Sequence, residues 1–295
     1  MTSAELIVFA IPAFVLTMAL EAWWLHRRSL AAHLGYTPKD TAASLAMGVG
    51  NLLASLPPKA LAFTFFLWLY EHRLFDVGTG LLAWVALFVL EDLCYYAFHR
   101  AHHEVRFLWA AHVNHHSSER YNLSTALRQS WTTPLTGPLF WAPLPLLGFH
   151  PGMILVAQTV SLLYQYWIHT ETIGSLGPLE AVLNTPSHHR VHHGSDDLYL
   201  DRNHAGILIV WDRLFGTFQA EEATPRYGIR KNLATYNPIA IAFHEWAAMF
   251  RDVARAERWR DKLGYLLMPP GWAPGGGETS RDLRARAASR AEPAE

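Results

Sequence analysis

Histidine is the residue type in this chain whose placement most clearly predicts chemistry. The chain has 295 residues and seventeen histidines, and ten of them fall in two short windows, 99–116 and 188–193. Three groups within these windows have helical spacing, one pair four residues apart and two triplets at i, i+3 and i+4. They are His99 and His103, then His112, His115 and His116, then His189, His192 and His193. Residues three or four apart share one face of a helix, so each group presents its imidazoles together.

Imidazoles clustered in this way predict metal binding. Neutral imidazole is a good ligand for iron, zinc and copper, and residues at these spacings can converge on one ion. Eight histidines are too many for a single ion, so we expect a dinuclear site. His169 ends an apolar segment at the same level and is expected to be a ninth ligand, with Gln165 as its hydrogen-bonding neighbour one turn earlier. His102 and His188 lie off the shared faces, and supporting or surface roles are expected for them.

Three acidic residues are candidates for holding the metal ligands in place, because a ligating imidazole usually donates its other N–H to a carboxylate or carbonyl. Asp92 precedes His99 by seven residues inside an apolar segment, where a charge is costly and marks a functional site. Glu104 follows His103 directly, and Asp212 lies in a Trp-Asp-Arg sequence after the third histidine group. The alternative for each acid is an interhelical pair or a plain surface charge.

The elements that position these residues are expected to lie in a membrane. Only 17% of the residues are charged, against roughly 25% in an average soluble domain. The stretch 129–170 has no Asp, Glu, Lys or Arg. We predict an all-α polytopic membrane protein with about four to five transmembrane helices and a histidine-rich helical cap. The predicted spans are Ile7–Leu25, Ala42–Tyr70 as one helix kinked at Pro57-Pro58, Thr79–Phe98, Pro138–Phe149 and Met153–Ile168. A soluble helical protein with buried hairpins is the alternative.

Charge distribution predicts the orientation and excludes other classes of protein. With five passes, the segment ends on one side carry the basic residues Arg27, Arg28, Lys39, Arg100 and Arg128. By the positive-inside rule this side, which also carries the histidines, faces the cytoplasm. The membrane is expected to be a bacterial inner membrane or that of the endoplasmic reticulum. The net charge of −1 provides no basic field for nucleic acid, and a single cysteine excludes an intramolecular disulfide. Residues 1–268 are expected to form one domain and 269–295 a disordered or weakly helical tail.

The histidine groups and their flanking residues resemble the fatty acid hydroxylase superfamily, which includes sterol desaturases, and most closely its alkylglycerol monooxygenase branch. The similarity covers about residues 91–220, in the segments 98–104, 107–118, 121–130, 164–171, 184–194, 201–206 and 211–218. It implies an integral membrane oxygenase whose nine histidines hold two iron ions in a cytoplasmic cap. It also implies tetrahydrobiopterin as external reductant. His204 stands where an aromatic residue is usual in the superfamily.

The function implied by this resemblance is a di-iron oxygenase that uses O2 and an external electron donor to hydroxylate, or oxidatively cleave, a lipid. An ether lipid, a fatty acyl chain and a sterol are all compatible substrates. Two alternatives stay open. One is a sterol or fatty-acid desaturase or hydroxylase with a ferredoxin- or cytochrome-type donor, and the other is a non-catalytic membrane protein that binds metal or lipid. A zinc hydrolase is disfavoured, because such a site uses three protein ligands and an open position.

Overall fold

The computed structural model describes residues 3–28 and 35–291, and within these ranges the chain is helical with no β-strand. The first four helices are α1 (Ser3–Arg27), α2 (Pro38–Ala54), α3 (Leu56–Glu71) and α4 (Leu81–Glu104). The middle of the chain forms α5 (Arg106–Ala110), α6 (Val113–His116), α7 (Thr133–Thr136), α8 (Pro138–Trp141), α9 (Pro143–Leu146) and α10 (Pro151–Trp167). The last helices are α11 (Pro186–His192), α12 (Val210–Leu214), α13 (Pro238–Arg255), α14 (Trp259–Leu267) and α15 (Ser280–Ala291). The all-α prediction is confirmed.

Candidate membrane spans come from the first third of the chain. Helices α1 and α4 are each long and apolar enough to cross a bilayer, and α2 with α3 passes the same test as a bent pair. The bend is 48°. It lies directly before Pro57 and Pro58, which lack the backbone N–H that would continue the helix without a break. The described residues therefore contain two or three candidate spans, and the bent pair agrees with the kinked helix predicted over Ala42–Tyr70.

Of the two spans predicted in the charge-free stretch 129–170, only the second forms one continuous helix. Helices α7, α8 and α9 have four residues each and a proline in the first turn, so 138–149 is a series of turns rather than one continuous helix. Helix α10 has 17 residues, slightly fewer than the roughly 20 that a straight span needs. An apolar core that includes Phe66, Leu87, Leu144 and Ile154 packs these elements against α3 and α4. The five-pass arrangement stays a prediction.

Two buried acids attach the first helices to the middle of the chain. Glu21 of α1 accepts a hydrogen bond from the backbone N–H of Leu123 at 2.9 Å and another from the hydroxyl of Thr170. Asp40, in the first turn of α2, forms a salt bridge with Arg128, and both side chains are almost fully buried. These contacts fix α1 and α2 around the segments that carry the histidines.

Within the tail, which is expected to be disordered or weakly helical, residues 280–291 form α15. Leu283 is buried, and Arg284 donates a hydrogen bond to the carbonyl of Leu200 at 2.6 Å. The hydroxyl of Ser280 bonds to Asp201. The helix is therefore fixed by partners about 80 residues earlier in the chain, which the local composition does not reveal.

Arg128→Ala is expected to reduce the free energy of unfolding by about 3–5 kcal/mol, because it leaves the Asp40 carboxylate buried without its cation. Arg73→Ala is the matched control, since the Arg73–Asp76 pair is exposed and such pairs contribute about 0–1 kcal/mol. Thermal unfolding of both variants in one detergent measures the difference. Equal losses of stability would contradict the role assigned to the buried pair.

Candidate metal centre

All nine histidines predicted to be ligands converge in one region. His99 and His103 lie in the last turns of α4, and His169 follows the end of α10. The second triplet lies in α6 and directly before it, while the third lies in α11 and directly after it. The ends of two long helices therefore meet two short helices, and the side chains converge although they lie up to 94 residues apart in the chain.

The ligand nitrogens of these histidines form two groups, and within each group all of them lie within 4.8 Å of one another. The five-histidine group is His99, His103, His112, His116 and His192, and the four-histidine group is His115, His169, His189 and His193. The groups are adjacent, because the ring centroids of His116 and His193 are 4.4 Å apart. The region thus offers two neighbouring positions at which a metal ion can be held.

Each triplet is divided between the two groups, which corrects the expectation that its members converge on one ion. In the second triplet the members at i and i+4 stay in the five-histidine group, while His115, at i+3, joins the other. In the third triplet, His189 and His193 belong to the four-histidine group, while His192, again at i+3, belongs to the five-histidine group. With 3.6 residues per turn, positions i and i+4 are about 40° apart around the helix axis, whereas i+3 and i+4 are about 100° apart. The i+3 imidazole therefore points to the neighbouring position.

Hydrogen bonds from Nδ1 orient five of the rings. Four donate to backbone carbonyls and one to a carboxylate: His99 to His204 at 2.8 Å, His115 to Arg128 at 3.3 Å, His169 to Gln165 at 2.7 Å, His192 to Arg202 at 3.0 Å, and His103 to Asp201 at 3.1 Å. Because a carbonyl oxygen can only accept, the ring hydrogen is on Nδ1 and the lone pair of Nε2 points into the site. The surrounding backbone thus prepares these rings as ligands.

The pair His115 and His169 shows what a bound cation would do at this centre. Their Nε2 atoms are 3.2 Å apart, and both rings use their hydrogen on Nδ1, so two lone pairs face each other. Burial lowers the pKa of His115 to about 4 and also lowers the pKa of His169 well below its usual range, so neither ring carries a second proton at pH 7. Two nitrogens at this separation can both lie about 2.0–2.1 Å from one metal ion, which removes the repulsion.

Other nitrogens at the centre also lack a hydrogen-bond partner. Among the described residues, these are Nε2 of His103, His192 and His193 and Nδ1 of His189. Leaving several buried polar atoms unpaired costs on the order of 1–3 kcal/mol each, unless a ligand satisfies them. A donor set made only of imidazoles suits iron, zinc or copper, whereas magnesium and calcium take oxygen ligands. The residues present therefore fit two transition-metal ions.

Asp92, one of the predicted supporting acids, contacts the loop after the third triplet rather than a histidine ring. Its carboxylate accepts hydrogen bonds from the backbone N–H groups of Ile207 and Leu208 at 2.8 and 3.0 Å. It also accepts one from the indole N–H of Trp211 at 2.9 Å. The buried carboxylate of Asp92 thus finds all three of these donors within residues 207–211. These hydrogen bonds attach that segment to α4.

Asp212 contacts the same loop from its other side. It accepts the backbone N–H groups of His204 and Ala205, both at 2.8 Å, and burial raises its pKa to about 6 despite these bonds. The carbonyl of His204 is the acceptor that orients His99. Asp212 therefore positions a candidate ligand through the backbone, and it does so without touching the ring.

Asp201, and not the predicted Glu104, is the acid that contacts His103. The predicted Glu104 is nearly half exposed and pairs with Arg100 at 2.8 Å, which is the surface-charge alternative. Asp201, which sequence reasoning missed, accepts the Nδ1 hydrogen of His103. Its position is 98 residues from His103 and its φ of 50° is unusual for a non-glycine residue, so no spacing pattern identifies it.

Three more histidines lie close to the centre but outside both groups. His102 bonds to the carbonyl of Phe98 and to Thr136, each at 2.8 Å, and His188 packs edge-on against Phe218. His204 is fully buried, its ring centroid lies 5.0 Å from that of His103, and neither of its ring nitrogens has a hydrogen-bond partner among the described residues. The expectation that His102 and His188 are not ligands agrees with this placement.

Similarity to known proteins extends over most of the chain. The sequence model of the fatty acid hydroxylase family matches residues 84–217. An alkylglycerol monooxygenase of Homo sapiens is 41% identical over 90% of this chain and 60% of its own length. Another from Caenorhabditis elegans is 39% identical over 65% of this chain and 40% of its own length. An ornithine lipid hydroxylase of Rhizobium tropici is 28% identical over 60% of this chain and 52% of its own length. The chain thus spans 60% or less of these relatives. No solved structure matches it.

Asp212→Asn is expected to loosen the loop that orients His99. An amide in place of the carboxylate faces at least one backbone N–H with its own NH2 group, which leaves a buried donor unpaired at a cost of about 1–3 kcal/mol. Hydrogen exchange at the amides of His204 and Ala205 should therefore become faster. Glu104→Gln, which changes an exposed ion pair, is the control and should leave this exchange unchanged. Unaltered protection in Asp212→Asn would contradict the positioning role.

Proposed function

Residues 84–217 match the sequence model of the fatty acid hydroxylase family, and on that basis we propose that the chain is a membrane-bound di-iron oxygenase of lipids. In the proposed reaction, one atom of O2 enters a C–H bond of the lipid. The other atom leaves as water, with two electrons and two protons from an external reductant. The names of the relatives support a lipid substrate, since one is an alkylglycerol monooxygenase and another an ornithine lipid hydroxylase. Helices α1 and α4 support a membrane location.

We assign one iron ion to each histidine group. For the four-histidine group, the observation that carries this assignment is the contact between the lone pairs of His115 and His169, which neither ring can relieve with a proton at pH 7. In the five-histidine group, Nε2 of His112 lies 3.1 Å from Nε2 of His99 and 3.2 Å from Nε2 of His116. Iron bound there supplies the activation of O2, which no side chain of this set performs. The contribution of the chain is to hold nine neutral rings in place and to direct the lipid toward them.

A cavity of about 570 Å³ is the proposed route of the substrate to the histidines. Its wall includes His103 and His193, one from each group, and the apolar side chains of Leu233 and Leu283. Lys231, which also lines it, is exposed, so the charged part of the wall lies toward the solvent. An alkyl chain fits the apolar part, while a polar headgroup can stay at the charged end. Apolar walls also keep water away from the reacting carbon.

An ether lipid is the substrate class that we propose, because the relatives with the higher identities are named for alkylglycerol. If the carbon that is hydroxylated is next to the ether oxygen, the product is a hemiacetal. A hemiacetal breaks down to an aldehyde and a glycerol, so hydroxylation cleaves the ether bond. Hydroxylation of an ordinary methylene in a fatty acyl chain or sterol would give a stable alcohol instead.

The reductant and the orientation follow from the resemblance and the charge pattern, and both are proposals. The alkylglycerol branch uses tetrahydrobiopterin, which we propose as the external electron donor for this chain. The positive-inside rule applied to the basic segment ends places the histidine centre at the cytoplasmic face. A soluble reductant in the cytoplasm would then reach the centre without crossing the bilayer.

His189→Ala is expected to lower the iron content to about half, because the four-histidine group loses a ligand while the five-histidine group stays complete. His188→Ala is the matched control, since His188 is the adjacent buried histidine on the same helix but belongs to neither group. Metal analysis of the two purified variants measures the difference. Full iron in His189→Ala, or equal losses in both variants, would contradict the ligand assignment.

Purified iron-loaded protein in lipid nanodiscs, supplied with a 1-O-alkylglycerol and tetrahydrobiopterin, is expected to consume O2 and release a fatty aldehyde. The ester analogue is the control, because it lacks the ether methylene. With ¹⁸O2, one labelled oxygen atom should appear in the organic products and the other in water. Oxidation of a sterol or fatty acid with a ferredoxin donor instead would favour the desaturase or hydroxylase alternative. No O2 uptake with any donor would refute an oxygenase.

A further inference from the structure

Helix α13 carries an apolar stripe that no part of the described chain covers. Ile239 is 62% exposed, Phe243 42% and Phe250 53%. These residues are four and seven positions apart, so they lie along one face of the helix. Three large apolar side chains on one exposed face cost the protein free energy in water. The stripe therefore indicates a partner other than solvent.

Helix α14 repeats the pattern directly after α13. Trp259, Leu263 and Leu267 follow at intervals of four residues, and their exposed fractions are 65%, 44% and 60%. The two helices are in contact and form a hairpin, which we term the α13–α14 hairpin. Both of its helices thus expose a regular apolar face.

The opposite side of α13 explains why this face cannot turn inward. Arg106 donates to Glu245 at 2.8 Å and forms a salt bridge with Asp252 at 2.7 Å, and these two acids are seven residues apart on α13. Ile241 and Met249 are buried on the same side. Two charge-assisted contacts from one guanidinium fix the rotation of the helix about its axis. The outward direction of the phenylalanines is therefore a property of the fold.

Helix α13 packs against the bent candidate span formed by α2 and α3. Ala43 and Met47 of α2 pack with Ile241 and Ala242 of α13 in one core cluster. On a different face, turned away from this contact, α2 exposes the apolar residues Leu45, Val49 and Leu53. Since that exposed face of α2 is expected to meet acyl chains, α13 is attached to a helix that is itself expected to lie in lipid.

Basic residues surround the apolar face. Arg251, Arg255, Arg258, Arg260 and Lys262 are all exposed, and in the part of the chain that the structure describes none of them forms a salt bridge. Over 251–262 these five cations outnumber the three acids Asp252, Glu257 and Asp261. An apolar face with flanking arginines and a tryptophan is typical of helices that lie in the boundary between headgroups and acyl chains.

We propose that the α13–α14 hairpin lies flat in the headgroup boundary of the bilayer that α2 and α3 enter, with its apolar face in the acyl region and its basic residues among anionic headgroups. His244 and Glu245, on the other side of α13, line the 570 Å³ cavity that reaches the histidines. The hairpin therefore holds the wall of this cavity at the lipid surface. The proposal depends on the geometry of the helices and not on the oxidation chemistry.

Site-specific fluorescence in reconstituted vesicles tests this placement. The only native cysteine is removed as Cys94→Ser, and single cysteines are introduced as Phe250→Cys and Leu263→Cys. Thr224→Cys is the matched control, because Thr224 is exposed on a loop remote from the hairpin in the chain. Each protein is labelled with an environment-sensitive nitrobenzoxadiazole dye. The vesicles contain phosphatidylcholine and phosphatidylglycerol, with or without a lipid that bears a nitroxide on its acyl chain.

The two stripe positions are expected to emit at shorter wavelength than the control and to be quenched several-fold more strongly by the nitroxide lipid. Iodide in the aqueous phase should quench only the control. Equal quenching of all three by iodide would overturn the proposal, because the hairpin would then be in water. Protection from both quenchers would also overturn it and would identify a protein partner or a second copy of the chain. None of these readouts requires iron or activity, so failure here is distinct from failure of the proposed reaction.

Discussion

The close approach of uncharged imidazole nitrogens that have no hydrogen to share is the constraint on which the rest of the structure depends. At His115 and His169 both lone pairs point at the same space, and the ring hydrogens are already committed to carbonyl oxygens. Such a contact is repulsive unless a positive ion lies between the atoms. In a buried region water cannot supply the missing donors, so a bound metal ion would stabilise this arrangement. The proposed metal binding would therefore be coupled to the folding of this region.

That constraint determines what the surrounding chain must do. A ring whose Nε2 lone pair is to stay free needs a hydrogen-bond acceptor at Nδ1. Most of these acceptors are backbone carbonyls. A carbonyl orients a ring only if its own loop is fixed. Asp92 and Asp212 fix the loop of residues 204–211 by accepting its N–H groups, and Asp40 fixes Arg128 from the start of α2. Two candidate spans, α2 through Asp40 and α4 through Asp92, thus contribute to the direction of the rings.

The sequence predicts which histidines converge better than it predicts their arrangement. Helical spacing identifies eight histidines, and the end of an apolar segment identifies His169, because both signals are local. The division of each triplet depends on how three helices meet, and the Asp201–His103 contact joins residues 98 positions apart, so neither is visible in a short window. The prolines that divide 138–149 can be read from the sequence, but the apolar composition of this segment favours the prediction of one continuous span. The order of α15 likewise arises from distant partners.

The placement of a few buried ion pairs explains how a chain with little charge can fix the histidine centre. Arg106, Arg128 and Arg190 are buried or nearly so, and each pairs with an acid of its own. Arg190, next to His189, donates two hydrogen bonds to Glu221, both at 2.6 Å, and also binds the carbonyls of Thr170 and Ile173. These cations hold loops and helices around the histidines, while the outward faces of α1, α2 and α13 are apolar. Contacts that fix the rings are thus separate from the surfaces proposed to meet lipid.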